Sequence, residues 1–163
     1  MAKPRRPRSV DDPIDYGMLP DLVGYRVRLA QIAIFRDFVA SMDADVITPT
    51  QFGALVLIEA NPGIRQLDLA RALQLDRSTV VPLLERLEKR GLVARERLRQ
   101  DRRSKALHLT AKGLRLLKDL KPRVLEHERR LSESLSTEDR AVLARSLIRI
   151  FPERQKNNKT NKL

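Results

Sequence analysis

The chain has 163 residues, a length that fits one domain with a substantial hydrophobic core. It contains no cysteine, which excludes disulfide bonds, thiolate catalysis and thiol-based redox sensing. No apolar run reaches the roughly 20 residues that a membrane-spanning helix needs, and the basic N-terminus is not followed by the apolar stretch of a secretory signal. We therefore expect a cytoplasmic protein that does not associate with membranes.

The formal net charge of +12 is unevenly distributed along the chain. Residues 65–105 contain twelve Lys and Arg against six Asp and Glu, and both ends of the chain are basic as well. Such a block is typical of proteins that neutralise DNA phosphates, although a solvated surface with basic tails has the same composition. The polar segments 1–13 and 153–163 are expected to be disordered tails.

Apolar residues at helical spacing predict a first long helix from Leu19 to Met42. They form two adjacent stripes, which make an apolar face wider than one neighbouring helix can cover. A second subunit is the expected partner for the remainder of that face.

Three shorter helices are predicted next, over Pro49 to about Ala60, about Arg65 to Leu73, and Arg77 to Arg90. Thr48 and Gln51 have the spacing of a capping box, and Asp76 can cap the third of these helices. Gly91 supplies the stop at its C-terminus.

Beyond Gly91 the hydrophobic period changes to two, which predicts a β-hairpin. Its strands lie on either side of a charged loop at residues 99–104. From Thr110 the helical period returns, with Pro122 as an expected kink, and Ser136 with Asp139 open a final helix.

A helix-turn-helix presents the first turn of its second helix to the major groove of DNA. Arg77, Ser78 and Thr79 occupy that turn here, although an ordinary amphipathic surface helix would also fit the pattern. The hairpin tip carries Arg102 and Arg103 beside Asp101. Adjacent arginines on a protruding loop suit the negative potential of a narrow minor groove, but a solvated loop has the same sequence features.

The stretch from Leu75 to Gly113 resembles the core of the MarR family of regulators. The resemblance depends on LEKRGLV at Leu87–Val93, a D-x-R wing at Asp101 and Arg103, and L-x-L-T-x-x-G at Leu107–Gly113. It extends over about Leu19 to Phe151.

This resemblance implies a mainly α fold with a small β-hairpin wing, a winged helix-turn-helix on a helical dimerisation platform. The domain would span residues 14–152, with a DNA-binding lobe at about 48–110 and dimerisation helices at about 19–43 and 110–151. It also implies a homodimer that binds double-stranded DNA at a pseudo-palindromic operator, most simply as a repressor. The implied DNA-binding residues are Thr50, Gln66, Arg77, Ser78, Thr79, Asp101, Arg102 and Arg103, with Arg103 in the minor groove and Asp101 holding it.

The region from Asp15 to Phe38 resembles a MarR subgroup that responds to hydroxycinnamoyl thioesters of coenzyme A. An aromatic acid or its CoA thioester is therefore the expected small organic effector, and no other cofactor is expected. The candidate contacts are Tyr16, Tyr25, Arg26, Arg28, Ile32, Phe35, Phe52 and Val56. Aromatic residues at helical spacing are more often core, and these arginines also fit ordinary surface or interface ion pairs.

No catalytic or metal site is expected, because the sequence lacks a Gly-rich phosphate loop, paired His and carboxylate motifs, and clustered metal ligands. His108 is expected on the surface of a strand, and His127 on a helix surface or at an interface. The sequence leaves two non-enzymatic alternatives open. One is an architectural DNA-binding protein without sequence preference, and the other is a winged helix used only for protein contacts.

Overall fold

The computed structural model describes residues 13–42, 47–97 and 105–150. The hairpin tip, Phe151 and the predicted tails, apart from Pro13, lie outside these ranges. After a 3-10 turn at Leu19–Asp21, the elements are α1 (Val23–Ser41), α2 (Pro49–Ala60), β1 (Ile64–Arg65), α3 (Gln66–Leu73), α4 (Arg77–Lys89), β2 (Val93–Arg97), β3 (Lys105–Leu109), α5 (Ala111–Leu131) and α6 (Thr137–Ile150).

Local capping accounts for where α2 and α6 begin. The Thr48 hydroxyl accepts a hydrogen bond from the Gln51 amide at 3.2 Å, and the Gln51 side chain accepts one from the Thr48 amide at 3.1 Å. This reciprocal pair satisfies two amides that a helix N-terminus otherwise leaves unpaired, which confirms the capping box. Ser136 and Asp139 make a similar pair at the start of α6.

The sheet contains one strand more than the predicted hairpin. β2 and β3 pair antiparallel from Val93 opposite Leu109 to Arg97 opposite Lys105, as predicted. β1 adds to the other edge of β3, so the strand order is β1-β3-β2. Two residues are too few to show a period of two, so β1 gave no signal in the sequence. The mainly α, winged helix-turn-helix fold class is nevertheless confirmed.

The chain divides into two compact units between residues 36 and 37. In the second unit, a core of aliphatic side chains joins α2, α3, α4, the sheet and α5. One side of α4 is buried in this core, and its members are Val80, Leu83, Leu84 and Leu87. This packing fixes which face of α4 remains available to solvent.

The joint between the sheet and α5 explains the L-T-x-x-G motif. Thr110 caps α5 by accepting a hydrogen bond from the Gly113 amide, and its hydroxyl donates to the Gly91 carbonyl at 2.7 Å. A Cβ atom at Gly113 would lie 2.1 Å from the Leu92 carbonyl oxygen. Only glycine permits this approach of helix to strand end.

The two histidines have different environments. His108 is partly exposed on β3, with Nε2 3.7 Å from Glu96 Oε2, in agreement with its predicted surface position. The expected surface or interface position of His127 is wrong, since only 1% of its side chain is exposed. The ring meets Phe38 edge-on and lies 3.2 Å from Asp37 Oδ2, because the end of α1 packs on α5 within the second unit.

α4 and α5 both continue through an internal proline, Pro82 and Pro122 respectively. Each proline removes one backbone donor from its helix. Pro82 lies in the second turn of α4, so the carbonyl that loses its donor belongs to exposed Ser78, where water can replace it.

Candidate nucleic-acid interface

The first turn of α4 projects three polar side chains into solvent. Arg77, Ser78 and Thr79 are all exposed, and the turn is capped by Asp76. Asp76 Oδ1 accepts hydrogen bonds from the Ser78 hydroxyl at 2.6 Å and from the Thr79 amide at 2.8 Å. Both hydrogen bonds stabilise the carboxylate and lower the pKa of Asp76 below its ordinary value, and the bond from the Ser78 hydroxyl has the larger effect.

The Asp76 cap constrains what this turn can do. The Ser78 hydroxyl proton is committed to Asp76, so its oxygen is left as an acceptor toward solvent. Arg77 has an exposed guanidinium, which can donate to base edges or phosphates. The turn therefore offers both donors and acceptors from a rigid, capped helix end.

Two clefts flank α4 and contain the other predicted DNA-binding residues of the described ranges. A cleft of about 280 Å³ between α2 and α4 brings Thr50 together with Ser78 and Thr79. A cleft of about 620 Å³ on the other side of α4 brings Gln66 together with Arg77. We call these the α2/α4 cleft and the α3/wing cleft.

Sequence reasoning missed five cations that line these clefts, namely Arg86 in the α2/α4 cleft and Arg65, Arg71, Arg95 and Lys105 in the α3/wing cleft. Arg86 follows Thr79 and Pro82 at helical spacing, so the period of α4 could have identified it. The other four lie on α3 and on three separate strand positions, and only the tertiary fold brings them together. The basic block 65–105 was the single available signal.

The wing residues Asp101, Arg102 and Arg103 lie outside the described ranges. The register of β2 with β3 is described up to Arg97 opposite Lys105, which places residues 98–104 between the two strand ends. The expected minor-groove contact of Arg103 and its support by Asp101 stay predictions.

The candidate effector residues are divided between the two units. In the first unit, Tyr16 is exposed and Tyr25 is partly buried. Arg26 Nε donates to the Pro20 carbonyl oxygen at 2.7 Å, so this arginine braces the turn before α1. Arg28 is exposed.

The remaining candidates are apolar. In the first unit, Ile32 and Phe35 are each 41% exposed. In the second unit, Phe52 and Val56 lie one turn apart on α2 and are partly buried against the core. Both groups keep apolar surface that folding of a single chain does not fully cover.

The described residues contain no group of three or more His, Cys, Asp or Glu that could hold a metal ion. Within the same ranges, no helix is both long enough and apolar enough to cross a membrane.

The first turn of α4, Arg77 to Thr79, is called the recognition turn below. It is capped, faces solvent and lies between two clefts on a three-helix lobe with a β-hairpin. This is the arrangement of a winged helix-turn-helix regulator of transcription. The chain belongs to the MarR family, whose profile matches residues 47–105. A putative transcriptional regulatory protein for the hcr operon of Thauera aromatica is 34% identical over 137 residues, which cover 83% of this chain and 82% of the relative.

Two solved structures of the transcriptional repressor CouR are also similar. CouR bound to a 23-mer DNA duplex is 39% identical with a TM-score of 0.78, covering 85% of this chain and 99% of that one. CouR bound to p-coumaroyl-CoA is 38% identical with a TM-score of 0.79, covering 86% and 99%. The relatives are regulators of transcription.

Proposed function

We propose that this regulator is a sequence-specific repressor that acts as a homodimer on a pseudo-palindromic operator and is released by an aromatic acid or its CoA thioester. The observation that carries the proposal is the exposed Arg77-Ser78-Thr79 turn, capped by Asp76 and flanked by cation-lined clefts. Such a turn can enter a major groove while neighbouring side chains meet the phosphates on either side.

Uncovered apolar surface supports the homodimer. Every residue of α6 is exposed in the single chain, and the large apolar side chains among them are Val142, Leu143, Leu147, Ile148 and Ile150. α1 exposes a second apolar set that includes Val27, Ile32 and Phe35. Water contact over this much aliphatic surface is unfavourable, and a second copy of the chain would remove it.

The effector class is supported by the similarity to CouR, which has been solved with p-coumaroyl-CoA, together with the aromatic and cationic side chains around α1. Tyr16 and Tyr25 could contact a planar acyl group. Arg28 is exposed and could meet a carboxylate or phosphate, whereas Arg26 would first have to leave the Pro20 carbonyl. Release requires that the effector bind a form of the dimer that holds DNA less well.

Operator binding is tested by gel shift at one fixed salt concentration, with the promoter region of the protein's own gene and a random duplex of equal length. A specific repressor binds the operator at least about a thousandfold more tightly than random DNA. Equal affinity for both duplexes would instead favour an architectural DNA-binding protein.

The effector is tested by calorimetry with p-coumaroyl-CoA, p-coumaric acid and free coenzyme A. We expect saturable heat with the thioester or the acid and a weaker operator complex in its presence. Heat from free coenzyme A equal to that from the thioester would contradict recognition of the aromatic acyl group.

A further inference from the structure

The α3/wing cleft has a lining of unusual charge. Among the described residues, five side chains that line it are cationic and none is a carboxylate; the cations are Arg65, Arg71, Arg77, Arg95 and Lys105. Two carboxylates that do not line the cleft pair with some of these cations. Asp68 lies 2.8 Å from Arg65 and 3.7 Å from Arg71, and Glu88 pairs with Arg95. Counting these described residues alone, the five cations exceed the two carboxylates by three charges.

Arg95 is the most enclosed of these cations, with 13% of its side chain exposed. It occupies the inward-facing side of β2, opposite Leu107 in the strand register. Its Nε lies 2.8 Å from Glu88 Oε2, but the angle is not that of a hydrogen bond. Nη2 is buried and has no hydrogen-bond partner among the described residues. A buried guanidinium with unmade hydrogen bonds is costly unless an anion completes it.

We propose that a backbone phosphodiester of bound DNA lies in the α3/wing cleft and accepts a hydrogen bond from Arg95. The inference rests on the proposed DNA binding. It adds a phosphate contact in the cleft between α4 and the strands β2 and β3 that lead into the wing. Arg77 lines the cleft and belongs to the recognition turn, so DNA that meets this turn brings a phosphate strand to the cleft mouth.

The chemistry of the cleft favours a phosphodiester over a base edge. Its cations lie on β1, α3, α4, β2 and β3, around a concave surface, whereas base readout needs side chains that project from a convex one. The phosphate contact carries no sequence information, and its loss affects every duplex alike. Formation of the phosphate contact also releases counterions condensed on the DNA, so its contribution to the affinity depends on the salt concentration.

The test compares the wild-type protein with Arg95→Gln in titrations of operator and random DNA between 50 and 200 mM salt. Loss of one phosphate contact lowers the slope of log affinity against log salt by about 0.9, so the advantage of the wild type shrinks about 3.5-fold over this range. We expect the same fold loss for both duplexes at each salt concentration, which leaves the ratio of operator to random affinity unchanged. Arg77→Ala, in contrast, is expected to lower that ratio.

Glu88→Gln separates the phosphate contact from a purely structural role. This variant removes the ion pair but keeps the Arg95 charge, so we expect the wild-type salt slope and an affinity at least as high as that of the wild type. Equal losses in Glu88→Gln and Arg95→Gln would show that Arg95 acts only through Glu88, and would overturn the proposal. Lys118→Gln removes one exposed charge from α5 away from the cleft and is the control for net charge.

Two further outcomes are informative. If Arg95→Gln has the wild-type salt slope while Arg77→Ala still lowers the ratio of operator to random affinity, the phosphate contact is rejected and the proposed function stands. No preference of the wild-type protein for the operator would reject the proposed function itself. If 10 mM inorganic phosphate binds to the wild type and not to Arg95→Gln while the DNA slopes agree, the cleft holds a small anion and not DNA.

Discussion

Gly113 shows how a single residue can be fixed by backbone packing. Its Cα faces the Leu92 carbonyl oxygen, and Thr110 ties the same strand end to the start of α5 through three hydrogen bonds at 3.4 Å or less. The glycine of the L-T-x-x-G motif therefore has a structural role. It sets the position at which α5 leaves the sheet and the wing.

Gly113→Ala is expected to destabilise the fold by about 2 kcal/mol or more, because the added methyl group would overlap the Leu92 carbonyl oxygen, to which the Thr110 amide donates a hydrogen bond. Chemical denaturation in urea measures the change. Gly24→Ala is the matched control, since nothing lies within 4 Å of its added Cβ atom, and the better helix propensity of alanine predicts equal or higher stability. Equal stability of the two variants would contradict the close approach of Gly113 to the Leu92 carbonyl oxygen.

The ionisation of the Asp76 carboxyl group affects the stability of the recognition turn that it caps. Its pKa is lowered in the folded state by hydrogen bonds from Ser78 and Thr79, so the carboxylate stabilises the fold above the unfolded-state pKa of 3.8. This contribution is lost as the pH falls below that value through the lower folded-state pKa.

Asp76→Asn retains a capping oxygen but cannot ionise. We expect the difference in unfolding free energy between wild type and variant to be constant from about pH 7 to pH 5 and to decrease below about pH 4. Urea denaturation at a series of pH values measures it. A difference that stays constant down to pH 3 would mean that the Asp76 charge does not contribute.

At the scale of elements, the sequence was sufficient to predict the helix ends that depend on residues of the same helix. The capping pairs at Thr48 and Asp76 and the stop at Gly91 were readable because their partners lie within a few positions. β1 was not predictable, since a two-residue strand exists only through its pairing with β3. The burial of His127 depends in the same way on a distant helix, α1, and the α3/wing cleft depends on five separate elements.

The wing is the element whose function can be tested by one substitution at its tip. Arg103→Ala is expected to weaken operator binding by at least about tenfold, because an arginine in a narrow minor groove meets a concentrated negative potential. The secondary structure and the dimer should be unchanged, since β2 and β3 pair through backbone bonds up to Arg97 and Lys105.

Gel shift and circular dichroism together check the Arg103 prediction. Wild-type affinity in Arg103→Ala would contradict the minor-groove assignment and would favour a winged helix used for protein contacts. Lys118→Ala removes the same charge from an exposed position on α5 and is a control for the loss of one cation.

At the scale of the whole molecule, the DNA-binding lobe and the exposed helices depend on each other. The lobe of one chain presents a single recognition turn, which covers too little DNA for high specificity. The exposed apolar side chains of α6 supply the surface by which two lobes could be held at a fixed spacing. The sequence predicted the need for a partner from the two apolar stripes of the first long helix, without showing the geometry of the dimer.

Leu147→Glu tests this dependence between dimer and operator. Leu147 lies on the apolar side of α6, in line with Leu143 and Ile150, and is 39% exposed in the single chain. A buried, unpaired carboxylate at a subunit interface is costly, so we expect monomers in analytical ultracentrifugation at micromolar concentration and a loss of operator affinity of at least about a hundredfold. Lys118→Gln changes the net charge by the same amount at an exposed position outside α6, and this variant should stay dimeric with normal affinity. A dimeric Leu147→Glu that binds the operator like the wild type would show that α6 does not hold the subunits together. A monomeric variant with full affinity would show instead that one recognition turn and one wing are sufficient for binding.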